Sequence, residues 1–429
     1  MKNFQLILMV VFVGGAVFGL MVFSGAIPIG EKKDAQLQGS VVMWGTISSQ
    51  AISGPLDDFN RLDPNISVTY VEKNPNTFDT ELLEALASGV GPDLFLLPSD
   101  LVYRYNSRIF VIPYASFPLV NFKQTFATAG DVFLNSKGML AYPLLIDPMV
   151  MYYNRSILDS NNIVNPPSFW DELQNMTPSL TRRDTAGRIV KSSVAFGQFF
   201  NVTNAKDIVS MFFLQAGNPI VKENAGVYLA TISETNSSVN LGNILQFYTD
   251  FTNTLSPNYT WNRSLPNSTN AFSAEDSAFY FGYASELNSL INRNPNQNLL
   301  SAPVPQFKNT DNKATIAKVT GVAVSAFSKK QNIALSVAGQ LATSEFSQKV
   351  ANNLLIAPAR RDLLSVRLPD AFMPNVYASS LFARNWIDPA PRDTDIIYRN
   401  MIESTVAGLM SPQNAVNDAG GKINLLFNR

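Results

Sequence analysis

The chain has 429 residues, 46% of them hydrophobic and 15% charged, with a net charge of -1. That much apolar material supports sizeable cores and excludes a disordered chain, and the lack of a basic excess argues against nucleic-acid binding. It has no Cys and no His, which excludes disulfides, thiol nucleophiles, Cys-based zinc sites and Ser-His-Asp catalysis, and leaves carboxylates as the acid–base groups.

Lys2 precedes an apolar run from Leu6 to Phe23 that resumes after Ser24 to Ile29. Roughly 18 or more apolar residues can span a bilayer, whereas a signal-peptide core is about 7–15 long. Cleavage after Ala26, at Ser24-Gly25-Ala26, would release a soluble protein, but Pro28 lies close to that site. The expectation is an uncleaved signal anchor over residues 1–30, its N-terminus inside, followed by a polar tether over 31–38. The remaining roughly 390 residues suit two domains.

Beyond the tether, short apolar runs alternate with helical stretches, as in α/β units. Val41-Val42-Met43-Trp44 reads as a buried strand running into the polar loop Gly45-Thr46-Ile47-Ser48-Ser49. Leu56, Phe59 and Leu62 mark a helix face, and Ile66 to Val71 alternates as a second strand. Phe78, Leu82, Leu83 and Leu86 share a face of a helix that stops at Gly89. Leu94 to Leu97 is a third strand, ending at Pro98-Ser99-Asp100. In open parallel sheets ligands sit beyond the carboxyl ends of strands, so Thr46, Ser48, Ser49 and Asp100 are candidate contacts; each also reads as an ordinary turn residue. Further on, Tyr142-Pro143 leads through Met149 to Asn154. Ser168 with Asp171 forms a capping-box pattern, with Trp170 aimed at a core. The stretch from Asn258 to Asn270 reads as a surface loop. Sequons such as Asn201-Val202-Thr203 and Asn267-Ser268-Thr269 carry no functional weight.

Four blocks together resemble one family. They are Val41–Trp44 with its loop, Ala87-Ser88-Gly89-Val90-Gly91-Pro92-Asp93-Leu94-Phe95, and Tyr142-Pro143 through Tyr152-Tyr153-Asn154-Arg155 to Pro166-Pro167-Ser168-Phe169-Trp170-Asp171-Glu172-Leu173. The last is Ala302-Pro303-Val304-Pro305 with Val319-Thr320-Gly321-Val322-Ala323-Val324, Ala334 to Leu341 and Ser344-Glu345-Phe346. Their order and spacing resemble the family 1 extracellular solute-binding proteins of ABC importers, the maltose-binding-protein group. The resemblance covers nearly all of residues 39–425, closing with Met401 to Asn424. It implies an α/β, two-lobed periplasmic-binding-protein-like fold of type II, with a hinge and an interlobe cleft that closes around a ligand. On that pattern one lobe takes 39–146 and 302–358, the other 147–301 and 359–429.

Carried over residue by residue, the resemblance implies that Ser48 and Ser49 replace charged groups that bind sugar hydroxyls. It implies sugar-binding carboxylates at Asp100 and Asp147, with Asn204 near another. Tyr283 falls near a sugar-stacking Trp, and Tyr398 or Trp386 supplies a second platform. The chemistry suits sugars, which need acceptors for hydroxyls and aromatic faces for C–H surfaces. Asp147 stands out without the resemblance too, as an acid between apolar Ile146 and Met149. Trp44 and Trp170 read as core, Asp93 as a turn residue, and Arg360-Arg361 as a solvated or hinge-side pair. Leu97 stands where the maltose group has an aromatic ring, which points away from maltose itself. The expected function is capture of a carbohydrate-like ligand by a non-enzymatic, cofactor-free and metal-free monomer. It would be held on the extracytoplasmic face of the cell membrane by its N-terminal helix and would deliver to ABC permease subunits. The competing readings are a glycoside hydrolase using Asp100 and Asp147, and a tethered sensor or adhesin.

Overall fold

The computed structural model describes residues 38–233, 240–308, 312–366 and 368–428. The expected anchor, and all but the last residue of the expected tether, lie outside them. Among the described residues no helix is long and apolar enough to cross a membrane.

The strands predicted near the start form in place, as β1 (Gly39–Gly45), β2 (Ile66–Glu72) and β3 (Leu94–Pro98). β1 lies between β2 and β3, parallel to both, and the first four residues of β3 are buried, as expected of a strand covered on two faces. The helices between them are α1 (Ser49–Leu62) and α2 (Phe78–Ala87). Leu62, expected on the buried face of α1, is instead exposed at its last turn. Gly89, just past α2, has φ +72°, a left-handed conformation that glycine adopts without a Cβ clash.

Four further strands extend the main sheet, β4 (Ala141–Asn154), β5 (Ile189–Val194), β6 (Ser277–Tyr283) and β7 (Thr315–Val324), and short strands beside them complete it. The order is β2-β1-β3-β7-β4-β6-β5. β7 is antiparallel to both β3 and β4. Where β7 passes β4 it carries Gly321, at which a Cβ would lie 2.8 Å from Ala141 and 2.9 Å from the Phe133 ring. Only glycine permits that approach.

Two large hydrophobic cores form along this one sheet, with a small third cluster around Tyr152 and Tyr280. Val41, Leu94, Phe95, Ile146, Ala317 and Val322 belong to the first, and Met149, Trp170, Phe212, Phe281, Ile316 and Trp386 to the second. β4 therefore passes from one core to the other at Asp147-Pro148, and β7 does so between Ala317 and Ile316. Register sets Lys318 opposite Asp147 at this crossing. A third crossing follows Ala383, which is in the first core, and reaches Trp386, which is in the second. Asn385 ties it to the others by donating to Ser99 Oγ and to the Ala317 carbonyl, each at 2.7 Å. The chain is thus a two-lobed α/β molecule whose lobes meet at adjacent strands. Met373, Val376 and Tyr377 pack in the first core although they follow residue 358.

In the second core, helix α3 (Trp170–Leu180) starts one residue later than the Ser168–Asp171 pattern suggests. Glu172 closes its N-terminus by accepting from the Ser168 and Phe169 amides at 2.8 and 3.3 Å, while Asp171 pairs with Lys308 at 2.6 Å. The Asn258–Asn270 stretch is not wholly a surface loop. Trp261 is buried, donates from its indole to Asn201 Oδ1 at 3.1 Å, and is followed by a short helix, Ser268–Ser273. Asn201 is itself buried and bonds two backbone carbonyls, so its sequon is structural.

Candidate functional site

The sheet crossing floors a cleft of ≈ 770 Å³ lined from both cores. From the first come Thr46, Pro98–Asp100, Leu145 and Ile356; from the second come Asn204–Asp207, Tyr283, Trp386 and Asp388. Thr46 and Asp100 stand at the carboxyl ends of β1 and β3, the position that an open parallel sheet leaves for ligands. Asn204 and Asp207 stand at the start of helix α4 (Ala205–Gln215), Asn204 with φ +62°. Pro391, Arg392 and Asp395 reach the rim from helix α5 (Pro391–Val406).

Of the residues predicted from sequence, Thr46, Asp100, Asp147, Asn204, Tyr283 and Trp386 therefore share one cleft. Ser48 and Ser49 do not line it. The chain enters α1 at Ser49, whose amide is drawn to Glu72 Oε2 at 2.7 Å, and both residues are exposed outside the cleft lining. Tyr398 is fully buried, with its hydroxyl on Ser210 at 3.1 Å. It lies behind Trp386, ring centroids 6.3 Å apart at 26°, and supports that ring rather than presenting its own face to the cleft. Tyr283 is 2% exposed, and the Lys318 ammonium sits 3.9 Å from its ring centroid. As the cleft stands, this ring is occupied by a cation and is no open platform. Its hydroxyl is held well above the ordinary tyrosine range, first by burial and then by the neighbouring Asp207 charge. Asn204 is committed in part as well, donating to Glu286 Oε1 at 2.9 Å. The residues read as core behave so: Trp170 is buried, and Trp44 is half-buried beneath Lys73, away from the cleft. Asp93 accepts from the Val42 amide at 3.1 Å and from Ser328 Oγ at 2.6 Å, a structural turn acid.

Sequence reading missed Lys206, Asp207, Lys318 and Asp388. Lys318 left a signal, as the single charge in the otherwise apolar or small Thr315–Val324 run. Asp388, between Ile387 and Pro389, left a fainter one of the same kind.

Five carboxylates line the cleft (Asp100, Asp147, Asp207, Asp388 and Asp395) against three cations, Lys206, Lys318 and Arg392. Lys206 is consumed by Asp388 at 2.6 Å and by Thr394 Oγ1 at 2.7 Å. Asp147 accepts from the Ser285 amide at 3.0 Å and hydroxyl at 2.6 Å. Being recessed at the crossing pushes its carboxyl up to about 6, with Ser285 and Lys318 pulling the other way. Asp100, though reached by water through the cleft mouth, is also raised, first by the surrounding protein and then by the Asp388 charge. Burial raises Asp207 against the opposing pull of Lys318 and Lys206. Acids of this kind hold their protons more tightly folded than unfolded, so the folded state gains stability as pH falls through the folded pKa. Between pH 7 and 5 the melting temperature of the ligand-free protein should accordingly rise, by about 1–3 °C. Asp147→Asn should flatten the slope; an unchanged slope in that variant would refute Asp147 as its source.

Acceptors on both walls, the Trp386 ring in the lining with the Lys206 ammonium 5.5 Å from its centroid, and strands passing between the lobes beneath suit capture of a polyhydroxylated molecule. The profile of a family described as bacterial extracellular solute-binding protein matches residues 45–345. A maltotriose-binding protein of Pyrococcus abyssi is 24% identical over 142 residues, which span 32% of this chain and 30% of that protein. The aligned segment thus spans less than a third of that relative's length. Among solved structures, a cyclic α-maltosyl-1,6-maltose-binding protein of Arthrobacter globiformis superposes with a TM-score of 0.74 at 14% identity, covering 91% of this chain and 99% of that one. A sugar-binding protein of Xanthomonas citri gives 0.73 at 16% identity, covering 91% and 98%. A cyclo/maltodextrin-binding protein complexed with maltotetraose gives 0.72 at 16%, covering 92% and 98%. At these identities the structural likeness speaks for the fold.

Proposed function

The chain belongs to the bacterial extracellular solute-binding proteins, and we propose that it captures a carbohydrate between its lobes and hands it, unchanged, to an ABC importer. The observation that carries this reading is the cleft at the strand crossing, where acceptors of both lobes face one another beside Trp386. Carboxylates accept from paired sugar hydroxyls, and an indole face takes sugar C–H surfaces. Closure of one lobe on the other would bring Thr46 and Asp100 towards Asp207 and Trp386, completing contacts that neither wall makes alone. The names of the similar proteins, with their maltose and maltodextrin ligands, support an oligosaccharide as the ligand class. We place the lobe limits where the core changes. The first lobe runs from 39 to 146 with 317–383, and the second from 149 to 316 with 386–428. Relative to the sequence reading, this moves residues 359–383 from the second lobe to the first and residues 302–316 from the first to the second.

The test is a thermal-shift panel of neutral mono- and oligosaccharides with the purified protein, followed by calorimetry. A ligand at a hundred times its Kd stabilises the folded state by about 2.7 kcal/mol, a readily measured shift. Recovered sugar should be chromatographically identical to that added. No shift with any carbohydrate would remove this reading, and accumulating product would turn it into an enzyme.

The apolar run Leu6–Phe23 supports a membrane tether with the lobes on the extracytoplasmic side. Full-length protein should sediment with membranes and resist carbonate extraction. A mature N-terminus at Ile27 would instead mean cleavage and release.

A further inference from the structure

We infer that Lys318 is a positioning residue of the cleft, a single ammonium seated on the Tyr283 ring that serves Asp100, Asp147 and Asp207 together and keeps them as acceptors for ligand hydroxyls. The inference rests on the reading of the cleft as a binding site for a polyhydroxylated ligand.

Geometry carries it. Lys318 lies on β7 at the crossing, directly across from Asp147 on β4, and its ammonium reaches 3.9 Å from the Tyr283 centroid at the end of β6. Tyr283 shares the cleft lining with Asp207, at the first turn of α4, and the two groups act on each other electrostatically. One side chain thus links both crossing strands to the helix that forms the far wall. An ammonium over a tyrosine face is held by the ring quadrupole, so its position does not depend on one carboxylate.

The acids packed around it create the need for such a charge. Around Lys318 stand Asp147 from β4, Asp207 from α4 and Asp100 from the loop after β3, and Glu286 from the turn after β6 raises Asp147 further. Asp388 raises both Asp100 and Asp207, and its own cation, Lys206, is already engaged. Lys318 opposes the upward shift of all three cleft acids, and no other group does so for all of them. Removing an opposite charge raises a carboxyl pKa. Without Lys318 these acids would take up protons nearer neutral pH and lose acceptor capacity.

The experiment uses Lys318→Met, which retains length and apolar packing on the ring, and Lys318→Arg, which retains the charge. Maltotriose, or whichever neutral sugar shifts the wild type most, is titrated by calorimetry from pH 5 to 9, with folding checked by circular dichroism. Lys318→Met should bind about tenfold more weakly at pH 7 and recover most of that loss by pH 9. The pH at which its binding is half lost should rise by about one unit. Lys318→Arg should stay within a few-fold of wild type with an unshifted profile. Loss by the same factor at every pH, or no loss at all, would overturn the inference while leaving the cleft as the binding site. Wild type that binds no sugar at any pH would instead overturn the reading on which it rests.

Discussion

Trp170→Ala should destabilise the second lobe by about 3–5 kcal/mol, the range for emptying a buried Trp site. The side chain is 1% exposed and packs against Phe212 at 4.8 Å, Phe281 at 5.3 Å and Phe196 at 6.1 Å between ring centroids. Its indole donates to Gln215 Oε1 at 2.7 Å, and Gln215 in turn donates to the Pro305 and Ala314 carbonyls at 3.0 and 2.8 Å. Truncation therefore leaves both a cavity and a buried acceptor without its donor, and the second loss adds about 1–3 kcal/mol where no water enters. Trp170→Phe should lose less, since the ring stays and only the hydrogen bond goes. Chemical denaturation should show the lower-stability transition moving to less denaturant, with the first lobe's transition unchanged. A loss below about 1 kcal/mol would mean that the aromatic cluster relaxes into the space and that Trp170 does not organise it.

Asp147→Ala should weaken ligand binding roughly tenfold to a hundredfold. Hydrogen bonds to a charged acceptor are worth about 1.5–3 kcal/mol, and each 1.4 kcal/mol is a factor of ten. With its carboxyl raised to about 6, Asp147 is mostly ionised at pH 7, and binding should fade as pH drops through 6. The fold should tolerate the change, since the lost partners are one amide and one hydroxyl, both of Ser285, at a site that water reaches. Trp386→Ala should also weaken binding by removing a ring that lines the cleft, whereas Tyr398→Phe, behind it, should cost little. Calorimetry with the sugar found in the thermal-shift panel decides this. Wild-type affinity in Asp147→Ala would remove the residue from the site while leaving the family membership intact.

Much of the fold was legible because it is local. β1, β2, β3 and the helices between them follow from runs of apolar residues that one element must bury, and Gly89 marks where α2 has to end. Asp147 was legible for a related reason: an acid in the middle of a buried strand is costly unless something uses it. Lys318 carried the same signal on β7 and was passed over because a lysine in a strand can turn its head to solvent. Ser48 and Ser49 were misplaced because sequence shows that a polar loop follows β1 but not the residue at which the next helix begins. Tyr398 was misplaced because a tyrosine on a helix has the same pattern whether it faces a cleft or supports the residue that does.

By itself, then, the sequence determined the class of fold, the order of the blocks and the absence of His and Cys chemistry. The α/β class and the missing chemistry rest on composition and on periodicities within about fifteen residues, and the two-lobed form on what the resemblance of the blocks implied. Only the tertiary structure decided which acids meet. Asp100, Asp147, Asp207 and Asp388 come from segments far apart in the chain and are brought to one cleft by strands that cross between two cores. Their charges act over a few ångströms through a recessed space, so their balance, and the one lysine placed among them, depends on distances that no spacing along the chain encodes.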